Sequence, residues 1–111
     1  MSHIRIHPEP RRVRVAIGDE VIAETREAVR LEEGSYAPVF YVPRKDVKMD
    51  RLVRTAHRTH CPFKGDASYF SIAGGPENAV WSYEHPLQEV RSIAEKLAFY
   101  PDKVSIAVSD D

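Results

Sequence analysis

At 111 residues the chain has the length of one domain with an apolar core, which excludes a protein of two ordinary domains. Hydrophobic residues make up 42% and charged residues 30% of the sequence, and these globular values exclude an intrinsically disordered chain. The 16 basic and 17 acidic residues nearly cancel, which argues against binding to nucleic acid or to an anionic membrane surface.

The first half of the chain is predicted to form a short arm followed by four β-strands. Residues 1–10 are assigned to an N-terminal arm because two prolines disfavour the interior of a strand or helix. Gly18 and Asp19 supply the turn of a hairpin between the first two strands, and Pro43 ends the fourth. Alternating apolar and polar residues or β-branched and aromatic runs predict these strands at Arg12–Ile17, Glu20–Thr25, Ala28–Leu31 and Val39–Val42.

The second half is predicted to contain further strands and one short helix. The charged segment Arg44–Thr59 is expected to be extended, with room for one helical turn. Apolar residues from Leu87 to Ala94 have the spacing of one helical face, with Pro86 at the first helical position. Strands are predicted at Ala67–Ile72, Asn78–Tyr83, Leu97–Tyr100 and Val104–Val108, the last two forming a closing hairpin. Residues 1–111 are therefore expected to be a single mainly β domain of about seven or eight strands and one short helix.

The segment His57–Tyr69 carries the densest group of reactive side chains. Cys61 is a candidate catalytic nucleophile or redox centre, whose thiolate would be favoured by Lys64 or by a protonated His60. The alternative is a buried thiol that acts as a small hydrophobic residue. A single cysteine cannot form an internal disulfide, and with no signal peptide at Met1 the expected location is cytoplasmic.

Metal and phosphate sites are weakly indicated in the same region. His57, His60, Cys61 and His85 are acceptable zinc ligands, but no Cys-x-x-Cys pair accompanies them and adjacent strand residues point apart. The Lys64-Gly65 pair lacks the other glycine and the Ser/Thr of a phosphate-binding loop. We therefore predict no bound metal and no cofactor.

Aromatic residues suggest a ligand pocket. Tyr41, Tyr69, Trp81 and Tyr83 fall on predicted strands, and they are interpreted either as core residues or as the walls of a partly open pocket. In the second interpretation Arg44, Cys61 and Lys64 lie at the rim, where Arg44 and Lys64 bind an anionic or carbonyl group.

Four segments resemble a known family when taken together. Val39–Val47, Thr59–Tyr69, Ala79–Tyr83 and Ala98–Tyr100 occur in the order found in the bacterial and fungal domain-of-unknown-function family 427. The Thr-x-Cys-Pro-x-Lys-Gly core and the later Trp-x-Tyr carry the resemblance, which covers nearly the whole chain. It implies a β-tent-like fold, a pair of antiparallel sheets pinned at one edge, as in methionine sulfoxide reductase B and the thalidomide-binding domain of cereblon. Those proteins hold zinc with two Cys-x-x-Cys pairs, and the lone Cys61 cannot reproduce that site.

Three functional hypotheses follow from these observations. The first is a binding domain for a small polar or anionic ligand, with Tyr41, Arg44, Lys64, Tyr69, Trp81 and Tyr83 as ligand-binding residues. The second is an enzyme that uses Cys61 and Lys64, and the third is a protein-interaction module. The expected partner is a small molecule rather than nucleic acid or a membrane, and the expected assembly is a monomer or homodimer.

Overall fold

Antiparallel β-strands form most of the structure, a computed structural model that describes residues 3–111. The strands are β1 (Ile4–Glu9), β2 (Arg12–Ile17), β3 (Glu20–Thr25), β4 (Ala28–Glu33), β5 (Val39–Tyr41), β6 (Leu52–Cys61), β7 (Gly65–Ile72), β8 (Val80–Ser82), β9 (Ala98–Phe99) and β10 (Ser105–Ser109). Three short 3₁₀ helices connect them, η1 (Arg44–Asp46), η2 (Met49–Arg51) and η3 (Gln88–Ile93). The predicted mainly β fold of antiparallel sheets is confirmed. Among the helices of residues 3–111, none has the length and apolar character needed to cross a membrane.

The strands are distributed over three sheets. The β4 sheet has the order β1-β4-β5, the β2 sheet the order β10-β2-β3, and the β7 sheet the order β6-β7-β8-β9. An isolated bridge between Val42, next to β5, and Leu97, next to β9, joins the β4 sheet to the β7 sheet, and a second pairs Ala23 of β3 with Val47 between η1 and η2. The predicted β2–β3 hairpin is confirmed, and Gly18 adopts a φ of 58° in its turn, which glycine tolerates better than other residues.

The β7 sheet lies between the other two sheets and packs against a different apolar cluster on each face. In β7, Phe70 and Ile72 belong to the first cluster, whereas Ala67 and Tyr69 belong to the second. Residues of opposite parity point to opposite faces of a strand, so the two clusters lie on the two faces of this sheet. The first cluster adds Val15, Ile22 and Ala23 from the β2 sheet, and the second adds Leu31 and Tyr41 from the β4 sheet.

The predicted N-terminal arm is wrong for its described part, because Ile4–Glu9 forms β1 and pairs with β4. Pro8 lies opposite Val29 in this pair. Strand β1 is at the edge of its sheet, where the N–H that proline lacks is not needed by a second neighbour. Met1 and Ser2 of the predicted arm lie outside the described residues.

Of two further predictions near the C-terminus, one is corrected and one is confirmed. The expected closing hairpin does not form, because β9 pairs with β8 and β10 pairs with β2. The expected short helix is present as the 3₁₀ turns of Gln88–Ile93, with a non-helical φ of −119° at Val90. The apolar spacing places Val90 and Ile93 in buried positions, as one helical face requires.

The charged segment after β5 combines the expected features in a different order. Helices η1 and η2 come first, and a ten-residue strand, β6, then begins at Leu52. Together with β1, β6 accounts for the excess over the seven or eight strands predicted. Strand β6 borders only β7 and forms the edge of the β7 sheet, so most of its side chains are exposed.

Candidate ligand-binding site

A cavity of about 320 Å³ lies between the β4 sheet and the β7 sheet. We call it the tyrosine cavity. The β4 sheet and its β4–β5 connection supply one side, and the β7 sheet with its flanking turns supplies the other. Its lining residues are Leu31, Glu33, Tyr36, Ala37, Val39, Tyr41, Lys64, Tyr69, Trp81, Tyr83 and Tyr100.

The aromatic residues of the chain divide by polarity between this cavity and the rest of the protein. All five tyrosines of the sequence and its single tryptophan line the tyrosine cavity, and none of the four phenylalanines does. Phe70 and Phe99 instead fill the first apolar cluster, on the opposite face of the β7 sheet. Tyrosine and tryptophan differ from phenylalanine by a hydrogen-bonding edge, so the cavity wall combines apolar surface with polar groups.

The hydroxyl groups of the cavity are only partly engaged with one another. Trp81 Nε1 donates to the Tyr41 hydroxyl at 3.4 Å, and the hydroxyls of Tyr69 and Tyr100 lie 3.3 Å apart. The Tyr69 hydroxyl also lies 3.0 Å from Thr59 Oγ1. Within residues 3–111, the Tyr83 hydroxyl makes no hydrogen bond, and that of Tyr41 accepts one without donating any. Two hydroxyl protons are therefore free for a ligand.

Burial keeps the phenols neutral. It raises the pKa of Tyr41 and of Tyr83 well above the ordinary value of a tyrosine, and it raises the pKa of Tyr100 to about 12. A hydrogen bond with Tyr69 also raises the pKa of Tyr100. Like other tyrosine hydroxyls, these three are protonated and able to donate hydrogen bonds at neutral pH, and burial extends that state to more alkaline pH.

Lys64 reaches the cavity as part of an ion pair. Its Nζ lies 2.7 Å from Glu33 Oε1, and the lysine as a whole is only 8% exposed. The turn between β6 and β7 holds its backbone, because Lys64 N–H donates to the Cys61 carbonyl and the Lys64 carbonyl accepts from Leu87. The glutamate balances the lysine charge, so the polar wall of the cavity has no net charge from this pair.

Arg44 lies outside the tyrosine cavity, which corrects the expectation that it shares a rim with Lys64. Its guanidinium is 5.7 Å from the Phe70 ring centre and 3.2 Å from Ser82 Oγ. Ser82 follows Trp81 in β8 and therefore points to the opposite face of the sheet. Arg44 also pairs with Glu84 at 2.8 Å, so its charge is engaged on that other face.

Cys61 is half-buried and packs against the second apolar cluster. The two groups expected to favour its thiolate have other partners, since Lys64 pairs with Glu33 and His60 Nδ1 lies 2.7 Å from Asp66 Oδ1. No hydrogen bond joins the thiol to any group in the described part of the chain. The proposed nucleophile thus lacks the activating contacts that its hypothesis requires.

The structure therefore brings five of the predicted ligand-binding residues to one cavity, namely Tyr41, Lys64, Tyr69, Trp81 and Tyr83. Sequence reasoning missed Glu33, Tyr36 and Tyr100 as members of the site. Both tyrosines stood out as aromatic residues beside strands, but Glu33 carried no signal, because only the packing of two sheets brings it to Lys64.

The cavity beside β1 and the metal-binding residue types of the chain offer weaker alternatives to the tyrosine cavity. A cavity of about 540 Å³ beside β1 is lined equally by apolar and by polar or charged residues, and its buried Glu9 is already paired with Arg11 and Arg30. Within residues 3–111, no three His, Cys, Asp or Glu side chains are grouped so that they could hold a metal ion. The tyrosine cavity is therefore the strongest candidate for a binding site.

The chain belongs to the family described as Domain of unknown function (DUF427), whose family model matches residues 5–110. The match includes all ten strands except the first residue of β1, Ile4, and it confirms the family resemblance seen in the sequence segments. No curated protein matches the chain significantly. The family description assigns no activity, so the function has to be inferred from the geometry of the cavity.

Proposed function

We propose that this member of the DUF427 family is a binding domain for a small polar molecule, which occupies the tyrosine cavity. The main observation in support is that all five tyrosines and the single tryptophan of the chain line this one cavity. Its volume of about 320 Å³ lies within the range of about 300–1,000 Å³ typical of small-ligand sites. Apolar walls with a few placed polar groups are the usual composition of such sites.

A purely structural role explains the cavity less well. Polar groups in a protein core are nearly always hydrogen-bonded. Where no hydrogen-bond partner is present, an apolar side chain of the same shape stabilises the core better than a polar one. Yet Tyr83 is 6% exposed and its hydroxyl has no partner in the described part of the chain. Phenylalanine would fill the same volume, so a cavity-lining hydroxyl without a partner among residues 3–111 supports a role in ligand binding.

The charge of the cavity refines the class of ligand. The sequence led us to expect a polar or anionic ligand held by Arg44 and Lys64. Arg44 contacts the opposite face of the β7 sheet, and Glu33 neutralises Lys64. A net anion would have to compete with Glu33 for the lysine, so we propose a polar ligand without net charge.

Intrinsic fluorescence provides a direct test, because Trp81 is the only tryptophan and it lines the cavity. We expect a library of small polar fragments to contain compounds that change its emission saturably. Tyr83→Phe removes one free hydroxyl and keeps the ring, so it should weaken such compounds by about threefold to tenfold.

Ser82→Ala is the matched control, because it removes a buried hydroxyl from the opposite face of the same sheet. It should leave fragment affinity unchanged. The proposal fails if no fragment alters Trp81 emission, or if the two variants weaken binding equally.

The other hypotheses retain their own tests. An enzymatic Cys61 would react with thiol reagents in a pH-dependent way, and an inert thiol would remove that hypothesis. A monomer or homodimer remains our proposal for the assembly, and light scattering at high concentration distinguishes the two. A cytoplasmic location, proposed because the chain has one unpaired cysteine, can be checked by fractionation of the source cells.

A further inference from the structure

Each sheet ends in edge strands, whose outer backbone groups are able to pair with another strand, and two of the outer edges carry protective features. Strand β1 contains Pro8 together with the charged Arg5. Strand β6 contains Arg54 and Arg58, and its pairing with β7 is irregular between them. Charged side chains, prolines and bulges are the features by which natural edge strands avoid association.

The edges of β3, β5 and β9 are covered within the protein. Beside β3, the Lys48 N–H donates to the Ile22 carbonyl at 2.9 Å. Val42 follows β5 and Leu97 precedes β9, and these two residues exchange backbone hydrogen bonds of 2.8 and 2.9 Å. A second chain would have to displace these contacts in order to pair at any of the three edges.

Strand β10 is an edge strand without such protection. Its sequence, Ser-Ile-Ala-Val-Ser over Ser105–Ser109, contains no charged residue and no proline. It pairs with β2 on one side, and within residues 3–111 no backbone hydrogen bond joins it to any other element. An uncharged edge with β-branched residues is a ready template for another strand.

The sequence of β10 is complementary to itself in the antiparallel direction. With Ala107 on a two-fold axis, Ser105 lies opposite Ser109 of a second copy, and Ile106 lies opposite its Val108. Ile106 packs against the first apolar cluster, so the cross-strand pairs of isoleucine and valine would continue that apolar face across the axis.

The charges beside β10 favour the same arrangement. Lys103 precedes the strand by two positions, and Asp110 and Asp111 follow it directly. Lys103 Nζ donates to the neutral Glu77 carbonyl, and its charge is in no ion pair within the described part of the chain. An antiparallel pair brings the lysine end of one strand to the aspartate end of the other, whereas a parallel pair would place like charges together.

We infer that two copies of this chain associate through β10, antiparallel and with Ala107 on the two-fold axis, so that two three-stranded sheets become one sheet of six strands. A single pair of short strands buries little surface, so we expect a weak dimer with a Kd on the order of 100 µM. This association is independent of the proposed ligand binding, because no residue of β10 lines the tyrosine cavity.

Analytical ultracentrifugation of the unmodified protein tests the association directly. We expect mostly monomer at about 10 µM and mostly dimer at about 1 mM. Amide hydrogen exchange at the same two concentrations should show greater protection of β10 in the concentrated sample and equal protection of β6. A protein that stays monomeric at about 1 mM overturns the inference, as does protection that rises in β6 instead of β10.

Variants then test the strand and its register. Ala107→Lys changes an exposed side chain and places two like charges opposite each other, so it should weaken association at least about tenfold. Ala56→Lys is the matched control, because it changes an exposed alanine of the edge strand β6 and should leave the Kd unchanged. An equimolar mixture of Ala107→Lys and Ala107→Asp should associate more tightly than either variant alone, since opposite charges then meet at the axis.

Circular dichroism at low concentration checks that the variants fold, and the concentration series on the unmodified protein needs no variant. Equal weakening by Ala107→Lys and Ala56→Lys would refute the assignment to β10. A mixture of the two Ala107 variants that associates no better than each alone would refute the antiparallel register.

Discussion

Glu84 is the centre of an ion-pair network with Arg44 and Arg54, and it offers a test of how much that network stabilises the fold. Arg54 donates two hydrogen bonds of 3.1 and 2.6 Å to the Glu84 carboxylate, and Arg44 donates a third of 2.8 Å. Ser68 Oγ donates a fourth at 3.2 Å. The hydrogen bonds from Arg54, followed by those from Arg44, lower the pKa of Glu84 from 4.5 to about 2, against an opposing effect of burial.

The magnitude of this stabilisation follows from the pKa. A fall from 4.5 to about 2 corresponds to about 3 kcal/mol of stability at neutral pH. Solvent screens the network because 52% of the Arg54 side chain is exposed, so about half of that value is a reasonable expectation. We therefore expect Glu84→Gln to lower the free energy of unfolding by about 1–2 kcal/mol at about pH 7.

Urea unfolding at several pH values measures this effect. A carboxylate whose pKa is lowered by folding stabilises the protein above its unfolded pKa of 4.5 and loses that contribution as the pH falls towards 2. The difference in free energy of unfolding between Glu84→Gln and the unmodified protein should therefore become smaller as the pH falls below 4.5.

Glu24→Gln is the control, because it breaks an exposed pair with Arg14 and should cost less than about 0.5 kcal/mol. If Glu84→Gln and the unmodified protein differ equally in free energy of unfolding at about pH 7 and about pH 3, the variant has lost packing rather than charge. That result would refute the electrostatic argument.

Three further predictions concern the core, one turn and the phenols. Ile72→Ala should lower the free energy of unfolding in urea by about 2–5 kcal/mol, because it empties a fully buried position in the first apolar cluster. Gly65→Ala should lower the free energy of unfolding by about 1–2 kcal/mol, because the φ of 112° at this position strains any residue with a Cβ. An unchanged temperature of thermal unfolding would contradict this strain argument. Phenolate absorbance should show that Tyr41, Tyr83 and Tyr100 ionise above pH 10, later than unfolded tyrosine, so stability falls as the pH rises from 10 towards 12. Five tyrosines that ionise together near pH 10 would contradict this prediction.

The fold was predictable wherever a local pattern decided the structure. The alternating residues Arg12–Ile17 and Glu20–Thr25 form the expected hairpin because their turn and their period-two pattern agree. The predicted strand Val104–Val108 is present as β10 (Ser105–Ser109), but it was given the wrong partner. Its turn-forming neighbours suggested β9, whereas its actual partner is β2, which is distant in sequence and is selected by the packing of whole sheets.

The ligand-site residues show the same division. Trp81 and Tyr83 could be assigned to one face of the predicted strand Asn78–Tyr83, because side chains two positions apart on a strand point the same way. The position of Arg44 was wrong, since nothing in the sequence states on which face of the β7 sheet the η1 helix lies. The same lack of information hid Glu33, whose charge changes the class of ligand expected.

Local order and residue type were enough to predict the mainly β class and the family, and to single out the segment His57–Tyr69 as a candidate site. Only the tertiary structure decided that this segment contributes Lys64 and Tyr69 to the tyrosine cavity while His60 and Cys61 remain outside it. The physical reason is that a cavity between two sheets is a product of long-range packing. Side chains 31 positions apart, such as Glu33 and Lys64, meet there through sheet geometry rather than through spacing along the chain.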